Sequence, residues 1–279
     1  MAKKMLFCFL AFMLWSCSSN NEEPTIIDDS IISLDTAPSE YQGYVYKYND
    51  LDYDYLLSLG FTQRCEYATV PQGTMKLMTT EALAQCCLFW PVCGNHIYYP
   101  NGRFSIYDGL LISFELCNAL QELAKREQGA IALLKLYKYL KYKEFEYQHN
   151  WYETDISKLN DKRHKQHLEL LFTTEYFTPK LNKDMLVLLA EKAEDFLLKD
   201  VDTDGTISWY NARYTFILWQ RVLLCYDKFT SLLSEKEKNI FNQNIKWFGM
   251  EIEGLDLTQE YSSLISEKVR LMYEDYHQK

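Results

Sequence analysis

An all-α fold, either an irregular multi-helix bundle or a short α-solenoid of eight to ten helices, follows from three features of this 279-residue chain. Apolar residues recur at the helical spacing i, i+3, i+4, i+7 over most of its length. Helix-capping signatures stand ahead of several of those runs. Gly and Pro, the strongest helix breakers, number only 10 and 6. With 48% hydrophobic and 15% aromatic residues, the chain from residue 41 onward is too apolar for disorder. Residues 41–279 show no internal linker, and about 240 residues suffice for one domain that buries roughly three-quarters of its unfolded surface.

The first helical signal lies between Pro71 and Pro91 and starts near Thr79 or Thr80, because Thr caps a helix N-terminus and Pro91 ends what precedes it. From Phe104 to Lys125, a polar stripe of Glu115, Asn118, Glu122 and Lys125 runs along an otherwise apolar cylinder, which predicts a central helix. Residues 161–167 open another helix with what reads as a strongly charged, soluble face. In Lys183 to Lys199, Leu186, Leu189, Ala190, Ala193, Phe196 and Leu197 form one apolar stripe. Tyr214 to Phe229 is apolar almost all round and should be enclosed by neighbours. Ser234 with Glu237, and Asp256 with Gln259, make capping boxes ahead of the last two helices. No repeat period of 20 to 50 residues stands out, which favours a bundle over a solenoid.

Ahead of this domain the chain carries an address. A basic start at Lys3 and Lys4 precedes an apolar run from Met5 to Trp15, too short to span a bilayer, so residues 1–16 read as a signal peptide. The tetrad Leu14-Trp15-Ser16-Cys17 resembles a bacterial lipobox. That resemblance implies that Cys17 is diacylated and becomes the first residue of the mature chain. Each acyl chain contributes about 0.8 kcal/mol per buried methylene, so two or three of them anchor durably. Residues 17–40, rich in Ser, Asn, Asp and Thr and holding Pro24 and Pro38, read as a flexible tether. Its opening run, Ser18 to Pro24, resembles the export signal of lipoproteins carried to the outer face of a bacterial outer membrane. The expected location is therefore lipid-anchored to that membrane and surface-exposed. No later stretch offers 18 apolar residues in a row.

Within the domain, Val70-Pro71 leading to Met78-Thr79-Thr80-Glu81-Ala82-Leu83 and Cys87-Leu88 resembles a segment of uncharacterised secreted or lipid-anchored bacterial proteins. Asn118, Glu122-Leu123, Arg126, Leu133-Leu134 and Tyr137 are similar to a second such segment. The resemblance implies a helical exported domain and supplies no chemistry.

The sharpest chemical signal is the run from Asp200 to Asn211, which resembles an EF-hand loop. Asp200, Asp202 and Asp204 stand at loop positions one, three and five, Gly205 at six, Thr206 at seven and Ser208 at nine. Asn211 replaces the bidentate Glu at position twelve, so any Ca²⁺ affinity should fall towards the roughly 10⁻⁴ to 10⁻³ M of extracellular modules. The alternative is a solvated turn in which the Asp side chains cap backbone groups.

Beyond Cys8 and Cys17, six cysteines remain: Cys65, Cys86, Cys87, Cys93, Cys117 and Cys225. No Cys-x-x-Cys pair exists, and apolar helical surroundings favour buried thiols over bridges. His164-x-x-His167 puts two imidazoles on one helix face without an evident third ligand for zinc. Aromatic residues crowd the start of the domain (Tyr41, Tyr44, Tyr46, Tyr48, Tyr53, Tyr55) and the segment from Tyr137 to Tyr152, where helix packing explains them better than sugar or peptide binding.

Lys and Arg number 29 against 39 Asp and Glu, a net charge of −10 that argues against nucleic-acid partners. No nucleophile elbow, phosphate-cradling loop, zinc-protease helix or dinucleotide fingerprint appears. The expectation is a non-enzymatic binding module on the cell surface, with a protein, peptide or glycan as ligand. The alternatives are a hydrolase or lyase acting on extracellular polymers, and a structural part of an envelope assembly.

Overall fold

The structure, a computed structural model, describes residues 44–48, 51–92, 105–140, 162–199, 209–250 and 259–278. All belong to the compact unit Leu34–Lys279. Among them 78% are helical and none lies in a strand, so the fold is all-α as its periodicity predicts. Ten of the thirteen described α-helices have seven residues or more, matching the expected eight to ten. The three shorter ones fall below the window in which a 3.6-residue period can be seen.

The first four helices are α1 (Tyr53–Ser58), α2 (Phe61–Tyr67), α3 (Gln72–Leu77) and α4 (Thr80–Leu88). Thr79 caps α4, its hydroxyl accepting from the Ala82 amide at 3.1 Å. Pro71 and Pro91 thus bracket two short helices rather than one. The predicted central helix over 104–125 is broken into α5 (Ile106–Leu116) and α6 (Asn118–Lys125), with Cys117 between them in extended geometry. A contact distant in sequence explains the break: Asn118 Oδ1 accepts from the Val70 amide at 3.1 Å, and its Nδ2 donates to the Val70 carbonyl at 2.7 Å. α7 (Gly129–Tyr139) follows and packs with α6 against α4.

The hub lies later in the chain. α8 (Lys162–Thr173) and α9 (Lys183–Lys199) flank α10 (Trp209–Cys225), which also touches α11 (Asp227–Thr230), α12 (Glu235–Trp247) and α13 (Gln259–His277). This placement corrects the expectation of a central helix at 104–125 and bears out the enclosure of Tyr214 to Leu223, whereas Asp227 and Lys228, near the end of the predicted stretch to Phe229, are exposed and lie on a separate helix. Around α10, Tyr214, Phe216, Ile217, Leu218, Trp219, Val222 and Leu223 are all buried.

Two of its polar side chains find partners. Gln220 donates to the Phe216 carbonyl at 3.2 Å and accepts from Asn244 of α12 at 2.9 Å, and Arg221 donates to the Thr173 carbonyl at the end of α8 at 2.6 Å. Where α10 stops at Tyr226, the Thr230 hydroxyl serves the freed carbonyls of Leu223 and Leu224.

Ser234 and Glu237 form the predicted capping box of α12. Asp256 lies outside the described residues. The last helix, α13, buries Ile265, Val269 and Met272. Its Asp275 draws together Lys183, Tyr226 and Lys228, which hold its carboxyl far below the usual range, Lys228 most of all and then Tyr226.

Gly249, just past α12, has φ +84°, the left-handed region that a Cβ disfavours. A Cβ there would also collide with Ile106, the residue whose amide donates to the Phe248 carbonyl at 2.7 Å. Gly249→Ala is expected to lower stability by about 1–3 kcal/mol, read from the urea midpoint. An unchanged midpoint would show that the α5–α12 junction is not tight.

Candidate functional site

The least expected chemistry sits on α8. Its opening reads as a soluble face, yet Lys165, Gln166, His167 and Glu169 are all buried, with Lys165 1% and Glu169 0% exposed. Leu168, Leu170, Leu171 and Phe172 are buried too, so from Lys165 onward α8 is enclosed between α4, α5, α7 and α10. This corrects the reading of Lys165, Gln166 and His167 as solvated: a charge pattern is open to either placement, and packing has chosen burial.

The Lys165 ammonium straddles the Glu169 carboxylate, 3.0 Å from Oε1 and 3.2 Å from Oε2. Tyr137 of α7 donates its hydroxyl hydrogen to Oε1 at 2.7 Å. Burial, reinforced by the adjacent Glu169 charge, pushes the Tyr137 hydroxyl well above its ordinary pKa, so it stays a donor. Phe172 and Phe196 meet its ring edge-on at 6.2 Å and 5.1 Å. The group joins α7 to α8 through one carboxylate. At 0–1% exposure, it can position helices; it offers no surface to a substrate.

His167 is 4% exposed, and burial, with the nearby His164 as a lesser cause, lowers its pKa to about 3. Unfolded, it would titrate near 6.5. Between those values the unfolded chain binds the extra proton, so stability falls as pH drops from about 6.5 towards 3, by at most about 1.4 kcal/mol per pH unit. His167→Gln is expected to flatten that part of the stability profile, and an unaltered slope would mean that His167 charges freely in the fold. His164 meets Phe89 edge-on at 5.4 Å. Among the described residues no group of three or more His, Cys, Asp or Glu side chains is placed to hold a metal, and these two imidazoles gather no third ligand.

The stretches from Val70 to Leu88 and from Asn118 to Tyr137 meet in a second polar cluster. Arg126 donates to the Met75 and Met78 carbonyls, both at 2.9 Å, and to the Thr80 hydroxyl at 3.3 Å, with Glu122 3.4 Å away. Asn118 clasps Val70, and Lys135 pairs with Glu81 at 3.3 Å. Asn118, Glu122 and Arg126 are therefore residues of architecture. Arg126 satisfies the carbonyls at the C-terminal end of α3 and ties α3 and α4 to α6, Glu122 pairs with it, and Asn118 holds the chain just before α3.

Several predicted sites lie outside the described residues: Cys17 with its signal and tether, and the loop residues Asp200, Asp202, Asp204, Thr206 and Ser208. Cys93 lies outside as well. Of the thiols, Cys65, Cys86, Cys117 and Cys225 are free, as the apolar surroundings suggested. Asp52 caps α1 by accepting from the Tyr55 amide at 3.0 Å.

The tyrosines divide. Tyr48 and Tyr137 are buried, whereas Tyr44, Tyr55 and Tyr139 are exposed, together with Leu57. Sequence reasoning missed Lys165 and Glu169. Their one signal was a Lys–Glu pair four residues apart leading into the apolar run Leu168 to Phe172, in the order that stabilises a surface helix least. Comparison of the chain with family models, with curated proteins and with solved structures finds no match.

Proposed function

We propose that the chain is a lipoprotein held on the outer face of a bacterial outer membrane through acyl chains on Cys17. There its helical domain binds a protein, peptide or glycan without transforming it. The observation that carries this reading is the tetrad Leu14 to Cys17, placed directly after a basic and then apolar start. Among the described residues no helix is long and apolar enough to cross a membrane, so under this reading the acyl chains supply the attachment. Tyr44, Tyr55 and Leu57, at 40%, 52% and 57% exposure, give the start of the domain apolar side chains to offer a partner.

Labelling cells with a fatty-acid analogue tests the anchor: Cys17→Ala should lose the label and leave the membrane fraction. Retention of the variant on the membrane overturns the reading. Cross-linking on intact cells tests the binding role, and Tyr55→Ala with Leu57→Ala should lose whatever the unsubstituted chain captures.

Calcium at Asp200, Asp202, Asp204, Thr206 and Ser208 belongs to the same proposal, as a structural ion between α9 and α10. A dissociation constant of about 10⁻⁴ to 10⁻³ M is expected by calorimetry. No heat and no rise in melting temperature at millimolar Ca²⁺ would rule it out.

A further inference from the structure

Three buried cysteines neighbour one short segment at the start of the domain, and a fourth, Cys65, neighbours one of them. Cys65 of α2, Cys86 and Cys87 of α4, and Cys117 between α5 and α6 are each 0–2% exposed. Residues 44–47 form no regular structure and run over this nest. Tyr44 and Lys47 are exposed, Tyr46 is half-buried, and Tyr48 drops to 1% exposure.

One contact ties the segment to a thiol, and a second holds the segment to itself. The Cys86 thiol donates to the Tyr46 carbonyl at 3.6 Å, and the Tyr46 ring meets the Tyr48 ring edge-on at 5.3 Å. Tyr48 reaches into the electrostatic neighbourhood of Cys117, Cys86 and Cys87. The segment is a strap with one aromatic plug.

Burial pushes the Cys65, Cys86 and Cys117 thiols up to about 12. Thiol–disulfide exchange needs the thiolate and an open path to it, so the closed strap denies both. Water reaching Cys86 would restore both together.

We propose that residues Tyr44–Tyr48 are a latch over a concealed modification site, and that withdrawal of Tyr48 lets Cys86 exchange with small disulfides and so holds the latch open. In that step Cys86 gives its proton to solvent, and the thiolate attacks one sulfur of the small disulfide. The S–S bond of the reagent breaks, a mixed disulfide forms on Cys86, and the departing thiolate takes up a proton. No further oxidant is required. The adduct occupies the space that Tyr46 and Tyr48 fill, so the strap cannot return while it persists. The inference is independent of the lipid anchor, because it concerns only the folded domain.

The test uses the full-length chain in detergent with oxidised glutathione as the probe, each cysteine being followed by peptide mass mapping. Tyr48→Ala should raise the modification rate of Cys86 about tenfold or more, while Tyr48→Phe, which keeps the plug, should behave as the unsubstituted chain does. Cys225, remote in sequence from the strap, should change less than about twofold. Equal Cys86 rates in all three chains overturn the latch. Parallel acceleration of Cys86 and Cys225 means that the whole fold has opened in the variant, and the unsubstituted chain then decides. Cys86 modification with a shallower urea dependence than global unfolding supports the latch, and an equal dependence overturns it.

Discussion

Glu169→Leu is expected to destabilise the fold by about 3–5 kcal/mol, because it leaves the Lys165 ammonium buried without a counter-charge. Tyr137 would lose its acceptor at the same time, adding the cost of a buried unpaired hydroxyl. For a domain of this size the loss corresponds to a melting temperature lower by on the order of 10 °C. The energetics predict an asymmetry as well. Desolvating two charges costs about as much as their attraction returns, so removing both should be far milder than removing one. The double variant Lys165→Met with Glu169→Leu is expected to recover most of the lost stability. If it melts no higher than Glu169→Leu alone, the pair is contributing net stability and the balance argued here is wrong. Tyr137→Phe isolates the hydrogen bond and should cost about 1 kcal/mol.

Trp219→Ala carries an effect of the same size from a different cause. Trp219 is the largest of the fully buried side chains and sits on α10, the helix that most other late helices touch. Its indole donates to the Ala190 carbonyl of α9 at 3.3 Å and stands edge-on to Phe216 at 5.5 Å. Truncation opens a cavity where α9 and α10 meet, at an expected cost of about 3–5 kcal/mol. Because neighbours collapse only partly into such a space, the urea midpoint should fall with little change in slope. Trp219→Phe retains most of the volume and should cost less than half as much. Equal losses for the two substitutions would point to the indole hydrogen bond rather than to the volume.

The helices were readable wherever their determinants are local. The apolar stripe of Lys183 to Lys199 gives α9 its observed bounds, and Thr79, Ser234 and Glu237 cap as their spacing predicts, because a cap needs only the next three residues. The break at Cys117 was unreadable, since it depends on Asn118 reaching Val70, 48 residues earlier. Whether Lys165 and Glu169 face water or the core was equally hidden, because charged residues are normally solvated and only the surrounding helices make burial tolerable. The thiols near Tyr48 come from two separate stretches, around Cys86 and at Cys117, and no spacing rule connects them.

Composition and periodicity were enough for an all-α chain and for the bounds of α9, because helix formation and capping are settled within a few residues. Which helix becomes the hub, which charges are swallowed with it and which thiols the strap covers were decided by packing. Burial belongs to a side chain's neighbours, and those come from anywhere along the chain.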